Sequence, residues 1–533
     1  MSGPIVKRRT ALLLPAALLG VRPALAQAPS TLTIGTGGAF TSIDPHYHRL
    51  TPNNQIADHL FDTLMAMDGN YRPQPGLALS WTAEGEHLWE LKLRPGVVFH
   101  DGSPFTADDV VFTFGRIPQV LNSPASFVDA VKPISRIEVV DPLTLRLHTP
   151  EPVPLMPYNL AAVRIVGRKN GEGMGTSDYN SGKAAVGTGP YKLESVLLGD
   201  KVVFRRNDAY WGPKPAWERV NYRLIANNAS RTAALQAGDV DIIDQVATRD
   251  VGTLKADPKL VVASTPGQRL IYLYTDSGRE VTPHAFDLQG KKLAKNPLQD
   301  VRVRRALSLA INREGLCTQI MDGFATPTGQ LMPKGATGYD PSIKMDPYDP
   351  AQARKLLAEA GFPGGFAITL HGPNDRYVND RTIVEAIAQM WARVGVKTTV
   401  TTMPSSMFFA GAVGTRDEYT VSLTGWAPDT GEAGSSLAQI AASSNPEKGR
   451  GAVLRPSRYA NPAVDTVVER ALATFDPAAR EALYQEATRL AMADAATIPL
   501  HHQENIAAMP KSSTLRPRMQ EGVRAMEVEP ASV

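Results

Sequence analysis

The stretch 77–114 carries the clearest pattern of hydrophobic and polar positions in the chain. Apolar residues at 89, 91 and 93 alternate with charged ones, the period-two pattern of a half-buried strand. A Pro-Gly pair ends that strand, a second extended run follows, and Asp101-Gly102 marks a turn. Thr106 stands three residues before Asp109, the spacing of a capping box, and apolar residues come next. The pattern therefore predicts a strand, a second extended run, a turn and then a helix.

Strand-like and helix-like patterns alternate through most of the remaining chain. Several amphipathic segments have Pro in the first turn and Gly after the last, as helices favour. The segments predicted as helices are 53–64, 300–311, 349–361, 382–394, 459–473 and 476–495, with a short helix, a turn and a strand start within 233–241. The other predicted strands include 31–36, two extended runs within 134–147, 368–370, 397–402, 498–500 and 505–509. This alternation predicts an α/β architecture. We expect 167–189 to be a surface loop, and Arg302, Arg304 and Arg305 to form a solvated, salt-bridged face and not a phosphate site. The pattern is uninformative after about Arg516.

Length and composition indicate a globular chain with more than one domain. The 533 residues exceed what one hydrophobic core usually serves. Hydrophobic residues make up 43% and charged residues 20%, which argues against both a disordered chain and an integral membrane protein.

The first 26 residues have the pattern of an export signal. Basic residues at 7–9 precede an apolar run at 11–21, and Ala24-Leu25-Ala26 is a small-residue cleavage site. The paired arginines resemble a twin-arginine signal, although Ala11 stands where phenylalanine is common, so the general secretory route stays open. Removal of 1–26 takes away four basic residues and changes the formal charge from +3 to −1. Such a balance gives no reason to expect nucleic acid or an anionic membrane as a partner.

The residues that could carry catalysis or bind metal form no recognisable centre. Cys317 is the single cysteine, lies in an apolar run and is predicted to be buried. The phosphate-binding loop, the esterase elbow and the H-E-x-x-H motif are absent from the sequence. His46 and His48 would share one face of a strand, whereas His501 and His502 would face opposite ways. We therefore predict no metal site, no cofactor and no enzymatic activity.

Four segments together resemble a known family. They are the run 77–114 (LALSWTAEGEHLWELKLRPGVVFHDGSPFTADDVVFTF), 187–191 (GTGPY), 207–217 (NDAYWGPKPAW) and 233–241 (AALQAGDVD). These resemble the dipeptide/oligopeptide/nickel class of solute-binding proteins of ABC importers, family 5 of the extracellular solute-binding proteins, and the similarity extends over about 32–509. The resemblance implies two α/β lobes joined by two chain crossings, with an extra subdomain in the first lobe, the cluster C type. The implied first lobe comprises 28–77, 186–280 and 497–533, its subdomain 78–185, and the second lobe 281–496.

The resemblance also implies a function. Such a protein captures a small solute between its lobes in the periplasm, closes around it, and delivers it to permease subunits with their ATPases. A monomeric protein that binds a short peptide or a peptide-like solute is the first expectation. The alternatives are a glutathione-like ligand, a nickel chelate, an opine or an oligosaccharide. A secreted hydrolase, and a binding protein for chemosensing or folding without a permease, are hypotheses of other classes.

Two loops match the ligand-binding positions of the family. Trp426 and Asp429 have the spacing W-x-x-D, in which the carboxylate holds the α-amino group of a bound peptide and the ring lines the pocket. Asp429 would alternatively only shape the turn before Thr430-Gly431. The continuation Thr-Gly-Glu-Ala at 430–433 is closer to glutathione-binding relatives, which can lack that Asp.

The second loop, 374–381, would bind the acid end of the ligand. An arginine near this point receives the ligand carboxylate in dipeptide-binding relatives, which implies Arg376 or Arg381, with Tyr377 beside them. The alternative is a solvated loop that leads into the next helix. From the first lobe, the loop with His46 and Tyr47 would complete the pocket.

Overall fold

The computed structural model of the protein describes residues 30–69, 71–412, 418–428, 430–448, 450–451, 458–516 and 518–531, together with Met1 and Gly3. The predicted export signal, apart from those two residues, and Asp429 lie outside the described residues. Among the helices of the described part, none is long and apolar enough to cross a bilayer.

The strands and helices alternate as an α/β chain requires. The strands are β1 Thr31–Thr36, β2 Met65–Met67, β3 Pro73–Pro75, β4 Ala78–Ala83, β5 Leu88–Leu93, β6 Arg136–Asp141, β7 Thr144–His148, β8 Tyr191–Leu197, β9 Lys201–Arg206, β10 Arg219–Leu224, β11 Ile242–Ile243, β12 Leu260–Thr275, β13 Ala285–Phe286, β14 Ala325–Pro327, β15 Phe366–Pro373, β16 Val396–Met403, β17 Val421–Trp426, β18 Ile498–Pro510, β19 Ser513–Leu515 and β20 Val528–Pro530. The α-helices are α1 Thr51–Leu60, α2 Ala107–Arg116, α3 Val128–Val131, α4 Met156–Ala161, α5 Arg168–Gly171, α6 Thr176–Asn180, α7 Asn228–Ala237, α8 Val251–Ala256, α9 Val301–Leu309, α10 Arg313–Gly315, α11 Pro350–Glu359, α12 Asp380–Ala392, α13 Ser405–Ala412, α14 Ala433–Ser436, α15 Pro462–Ala473 and α16 Pro477–Ala493.

Two long strands connect the lobes. In the largest sheet the order is β13-β15-β17-β12-β18-β11-β1-β10-β9-β8, so β12 and β18 lie at its centre. They pair antiparallel with each other along most of their length. At one end of the pair β18 hydrogen-bonds to β11, which in turn pairs with β1. At the other end β12 hydrogen-bonds to β17, which in turn pairs with β15. Separate apolar cores pack on the two ends, and the fold is therefore two-lobed.

The stretch 77–114 folds as its pattern predicts, within a compact unit of the first lobe. β4, β5, β7 and β6 form a four-stranded antiparallel sheet. The apolar residues of β5 point into one core with residues of α2. The backbone amide of Thr106 donates to the Asp109 carboxylate at 2.9 Å, so the predicted capping box opens α2. The domain boundaries themselves stay a prediction.

The structure corrects three details of the sequence-based assignment. The segment 167–189 contains the short helices α5 and α6 and is not purely a loop. The two short strands predicted at 498–500 and 505–509 are one continuous strand, β18. Arg304 is predicted to lie on a solvated face, yet it is buried. It donates to the carbonyls of Asp494 and Ala495 at 2.7 and 3.1 Å, because the chain just after α16 leaves carbonyls without helical partners.

Candidate functional site

A cavity of about 1600 Å³ lies between the two lobes. The first lobe contributes the loop after β1, residues of α1, and the loop between β9 and β10. The second lobe contributes the loop after β15, part of α13 and the end of β17. Residues of the C-terminal segment, 516 and 518–530, form much of the remaining wall. Both lobes and the chain end therefore meet at one space large enough for a peptide-sized ligand.

Aromatic side chains form the second-lobe wall. Trp426 ends β17 and lines the cavity, and its buried indole Nε1 has no hydrogen-bond partner among the described residues. Tyr377 follows β15, and its hydroxyl donates to the carbonyl of Gly425 at 3.3 Å. This bond ties the loop after β15 to β17, so the two predicted loops lie side by side.

An ion-pair cluster joins this wall to the C-terminal segment. Glu521 accepts from Arg269 on β12, with Nη2 at 2.7 Å, and from Nη2 of Arg376 at 3.4 Å. Burial alone raises the pKa of Glu521, but the two guanidinium groups outweigh it and hold the pKa at about 2. Arg376 thus lies in the cavity wall, but its guanidinium is bound to the protein's own Glu521, which Arg269 also binds.

A second charged cluster forms the first-lobe wall. Asp58 of α1 accepts from Arg164 at 2.7 Å and from Arg524 at 3.0 Å. Glu527, buried behind the wall, accepts from Arg518 at 2.6 Å and from Arg524 at 2.5 Å. Burial raises the pKa of Asp58, and the arginines Arg164 and Arg524 more than offset this and lower it to about 2. Both carboxylates are therefore ionised at neutral pH.

One carboxylate of this wall sits in a neutral polar setting. Asp62 accepts hydrogen bonds from Thr188 Oγ1 at 2.8 Å, Trp211 Nε1 at 2.8 Å and the Tyr210 hydroxyl at 3.0 Å. Burial raises the pKa of Asp62, against the effect of these three donors. Asp62 also lines the cavity, so it can face a ligand amine.

The structure brings four of the seven sequence-derived candidates to the cavity. Tyr47, Arg376, Tyr377 and Trp426 line it; their contact with a ligand stays a prediction. Arg381 does not: it lies on the outer face of α12, largely exposed, and pairs with Glu385 one turn later. Asp429 is not among the described residues.

His46 is also away from the cavity, in correction of the expectation. It is fully buried, its Nε2 donates to the carbonyl of Arg164 at 2.8 Å, and its Nδ1 accepts from Arg116 at 2.8 Å. Arg116 in turn binds both oxygens of Asp44, at 3.0 and 2.7 Å. The Asp-Pro-His sequence therefore anchors a loop to α2 rather than holding a ligand.

The histidine pairs give no metal centre in the part of the chain that is described. No group of three metal-binding side chains comes together there. His501 and His502 are buried on β18, and burial lowers the pKa values to about 3 and about 4. Both are therefore neutral at pH 7.

Two residues of the segment 430–433, whose sequence is closer to glutathione-binding relatives, make packing contacts. Glu432 is buried and accepts from Arg480 at 3.0 and 3.1 Å. Gly431 has φ +65°, and a Cβ there would come within 2.5 Å of Cβ of Tyr71 in the first lobe. A glycine is thus required where the lobes touch.

Sequence analysis missed the C-terminal segment and two acids, Asp58 in α1 and Asp62 just after it. Arg518, Glu521 and Arg524 lie in a stretch whose apolar residues follow no strand or helix period, so no pattern marked them. Their only signal was a run of closely spaced arginines and glutamates near the chain end. Asp58 and Asp62 stand four residues apart in the predicted helix 53–64, a spacing that predicts both on one face. In the structure α1 ends at Leu60, so Asp62 follows the helix.

Comparison with known proteins agrees with this architecture. Residues 72–448 match the model of the bacterial extracellular solute-binding proteins, family 5 (middle part), which is more than half of the chain. The chain belongs to this family. Family 5 proteins are the solute-binding components of ABC importers and work with permease and ATPase subunits.

Individual relatives cover nearly the whole chain. A glutathione-binding protein, GsiB of Shigella flexneri serotype 5b, is 29% identical over 506 residues, 93% of this chain and 94% of the relative. The periplasmic binding protein DppA of Helicobacter pylori, solved with the peptide STSA, superposes with a TM-score of 0.80 at 23% identity and covers 94% and 98% of the two chains. MoaA of A. tumefaciens R10, solved with mannopinic acid, superposes with a TM-score of 0.79 at 24% identity. The match covers 95% of this chain and 100% of MoaA. The two structures establish the two-lobed fold.

Proposed function

We propose that this family 5 protein captures a short peptide or peptide-like solute that carries carboxylates, and delivers it to an ABC permease. The observation that carries this proposal is the charge of the interlobe cavity. Among the described residues that line it, eight are lysine or arginine and five are aspartate or glutamate. A net-acidic solute offsets that surplus, and its amine has a carboxylate acceptor in Asp62.

The proposal includes a location and partners. The mature protein, cleaved after Ala26, works in the periplasm as a monomer and docks on the permease at the inner membrane. It carries out no catalysis: closure of the lobes over the solute is its only step. The glutathione-binding relatives support an acidic, peptide-like ligand, and the peptide-bound neighbour supports a short peptide.

The first test is ligand-dependent melting of the mature chain, refolded to remove any carried ligand. Alanyl-alanine, glutathione, nickel-histidine and maltotriose are the probes. A ligand at a hundred times its Kd adds about 2.7 kcal/mol to the free energy of unfolding, a clear rise in Tm. We expect the rise with glutathione or the dipeptide. A rise only with maltotriose or nickel-histidine would contradict the proposed ligand and leave the family intact.

Two arginines of the predicted loop 374–381 provide a test variant and its control. Arg376→Gln should weaken binding of the active probe at least about tenfold, because it removes a charge-assisted partner from the cavity wall. Arg381→Gln should leave Kd unchanged, because Arg381 is exposed and paired on the outer face of α12. Titration calorimetry of both variants measures the difference; equal effects would contradict the assignment of Arg376.

A further inference from the structure

The first-lobe wall holds more positive than negative charge. Three guanidinium groups, those of Arg164, Arg518 and Arg524, share two carboxylates, those of Asp58 and Glu527. The three arginines line the cavity, whereas Glu527 lies behind them. Asp62 of the same wall accepts its hydrogen bonds from the neutral groups of Thr188, Tyr210 and Trp211. The arginine cluster itself therefore presents one uncompensated positive charge to the space where a solute would lie.

Arg518 is the member with donors to spare. Within the described residues its one ion-pair partner is Glu527, reached through Nη1. Burial lowers the pKa of Arg518, and the neighbouring Arg524 lowers it further, in spite of the nearby carboxylates Glu527 and Asp58. The guanidinium is thus held in a site that a further anion would stabilise.

The ion-pair cluster of the opposite wall also holds one more positive than negative charge. Arg269 and Arg376 share the single carboxylate of Glu521. The cavity therefore contains two separate clusters, each with one positive charge in excess. One acid group of a solute neutralises one of them, and a second acid group is needed for the other.

We propose that Arg164, Arg518 and Arg524 form a second acid-binding subsite, which makes the protein selective for solutes with two carboxylates. This rests on the proposed function, since it assigns the same cavity. An arginine fork binds a carboxylate through two parallel hydrogen bonds, and a closed, poorly solvated cleft strengthens that bond. The alternative is that the three arginines only fasten the C-terminal segment to α1.

The experiment compares glutathione, which has two carboxylates, with its two monoamides, with alanyl-alanine and with glutarate. Titration calorimetry is carried out on the wild-type mature chain and on Arg518→Gln. We expect the wild type to bind glutathione at least about tenfold more tightly than either monoamide. In Arg518→Gln, one of the two monoamides should bind as tightly as glutathione does, because the carboxylate it lacks no longer has a partner.

Control variants separate recognition from folding. Arg302→Gln removes an exposed arginine of α9 that pairs with Asp300, and should retain the wild-type ratios. Arg518→Lys keeps the charge without the fork, and should keep part of the preference even if Arg518→Gln does not fold. A purely structural role would weaken all probes by the same factor.

The outcomes distinguish the subsite from the proposed function. An unchanged ratio of glutathione to both monoamides in Arg518→Gln, or a wild type that binds alanyl-alanine as tightly as glutathione, overturns the subsite and leaves the peptide-binding proposal standing. Binding of glutarate alone, lost in Arg518→Gln, supports the subsite and overturns the peptide-like ligand. A wild type that binds no diacid overturns the subsite, and its response to alanyl-alanine then decides the proposed function.

Discussion

At the scale of single residues, the buried ion pair of Asp44 and Arg116 shows how a motif can serve structure. Asp44 is 2% exposed, and both its oxygens are bound by one guanidinium while Thr176 adds a donor at 2.7 Å. Burial raises the pKa of Asp44, but these contacts outweigh it, so the net shift is downward. The ionised carboxylate is thus a fixed part of the first lobe.

Asp44→Asn should therefore destabilise the protein strongly. It leaves the buried Arg116 without its counter-ion, and breaking one side of such a pair costs about 3–5 kcal/mol. Asp108→Asn is the matched control, because Asp108 is exposed, pairs with Arg168 at 2.6 Å and should cost less than about 1 kcal/mol. Urea unfolding at pH 7 measures both. Equal losses in the two variants would contradict the structural role of Asp44.

At the scale of elements, local patterns were sufficient wherever an element owes its shape to its own residues. The helix α11 begins after Asp349, whose carboxylate accepts from Gln352 N at 2.9 Å, and is followed by Gly361 at φ +92°, as its Pro and Gly predict. β18 was split in two because its register depends on β12, more than 200 residues earlier. The C-terminal segment was missed for the same reason, since contacts with distant partners alone give it shape.

Gly522 holds that segment in place, and this gives a second prediction. A Cβ at Gly522 would come within 1.0 Å of Nε2 of Gln55, which donates to the carbonyl of Glu521 at 3.0 Å. Gly522→Ala should therefore displace Glu521 and weaken solute binding at least about tenfold. Gly290→Ala is the control: its φ of +88° is as strained, but nothing lies within 4 Å, so it should cost about 1 kcal/mol of stability and no affinity.

A double variant identifies the cause. If the loss of affinity comes from the collision, Gln55→Ala should restore part of it in the Gly522→Ala background, as a coupling between the two sites. Calorimetric Kd values of the four proteins complete the cycle. No coupling between the two positions would show that the clash is not responsible.

At the scale of the molecule, the cavity exists only because distant parts of the chain close around it. Glu521 of the C-terminal segment links β12 to Arg376 of the second lobe, and Gly431 touches Tyr71 across the cleft. The sequence was enough to predict the family, the two lobes and the loops after β15 and β17. It could not predict which charges face one another, because pairs such as Asp58 and Arg524 are 466 residues apart.

Buried and half-buried histidines make the stability of the whole molecule depend on pH. Burial is the first cause of a lowered pKa at six of them, to about 4 for His46, His59, His100, His371 and His502 and to about 3 for His501. Each of these histidines is neutral in the folded protein at neutral pH. At pH values between the folded-state pKa and the pKa of the unfolded chain, near 6.5, each takes up a proton when the protein unfolds. Their contribution is therefore complete above pH 6.5 and is lost as the pH falls towards 4. Burial acts in the opposite direction on Asp380, whose pKa rises to about 6.

The free energy of unfolding should thus fall between pH 6.5 and 4.5, by about 1.4 kcal/mol per pH unit for each net proton taken up. The histidines outnumber the opposing acids whose pKa burial raises, Asp62, Asp109, Asp244 and Asp380. Urea unfolding at half-unit steps of pH gives the slope of the free energy of unfolding against pH.

His501→Phe is the informative variant, because neither ring nitrogen of His501 has a hydrogen-bond partner among the described residues. It should reduce the slope by about one proton without breaking a bond. A slope equal to that of the wild type would show that His501 takes up no proton on unfolding, and hence that burial does not hold it neutral.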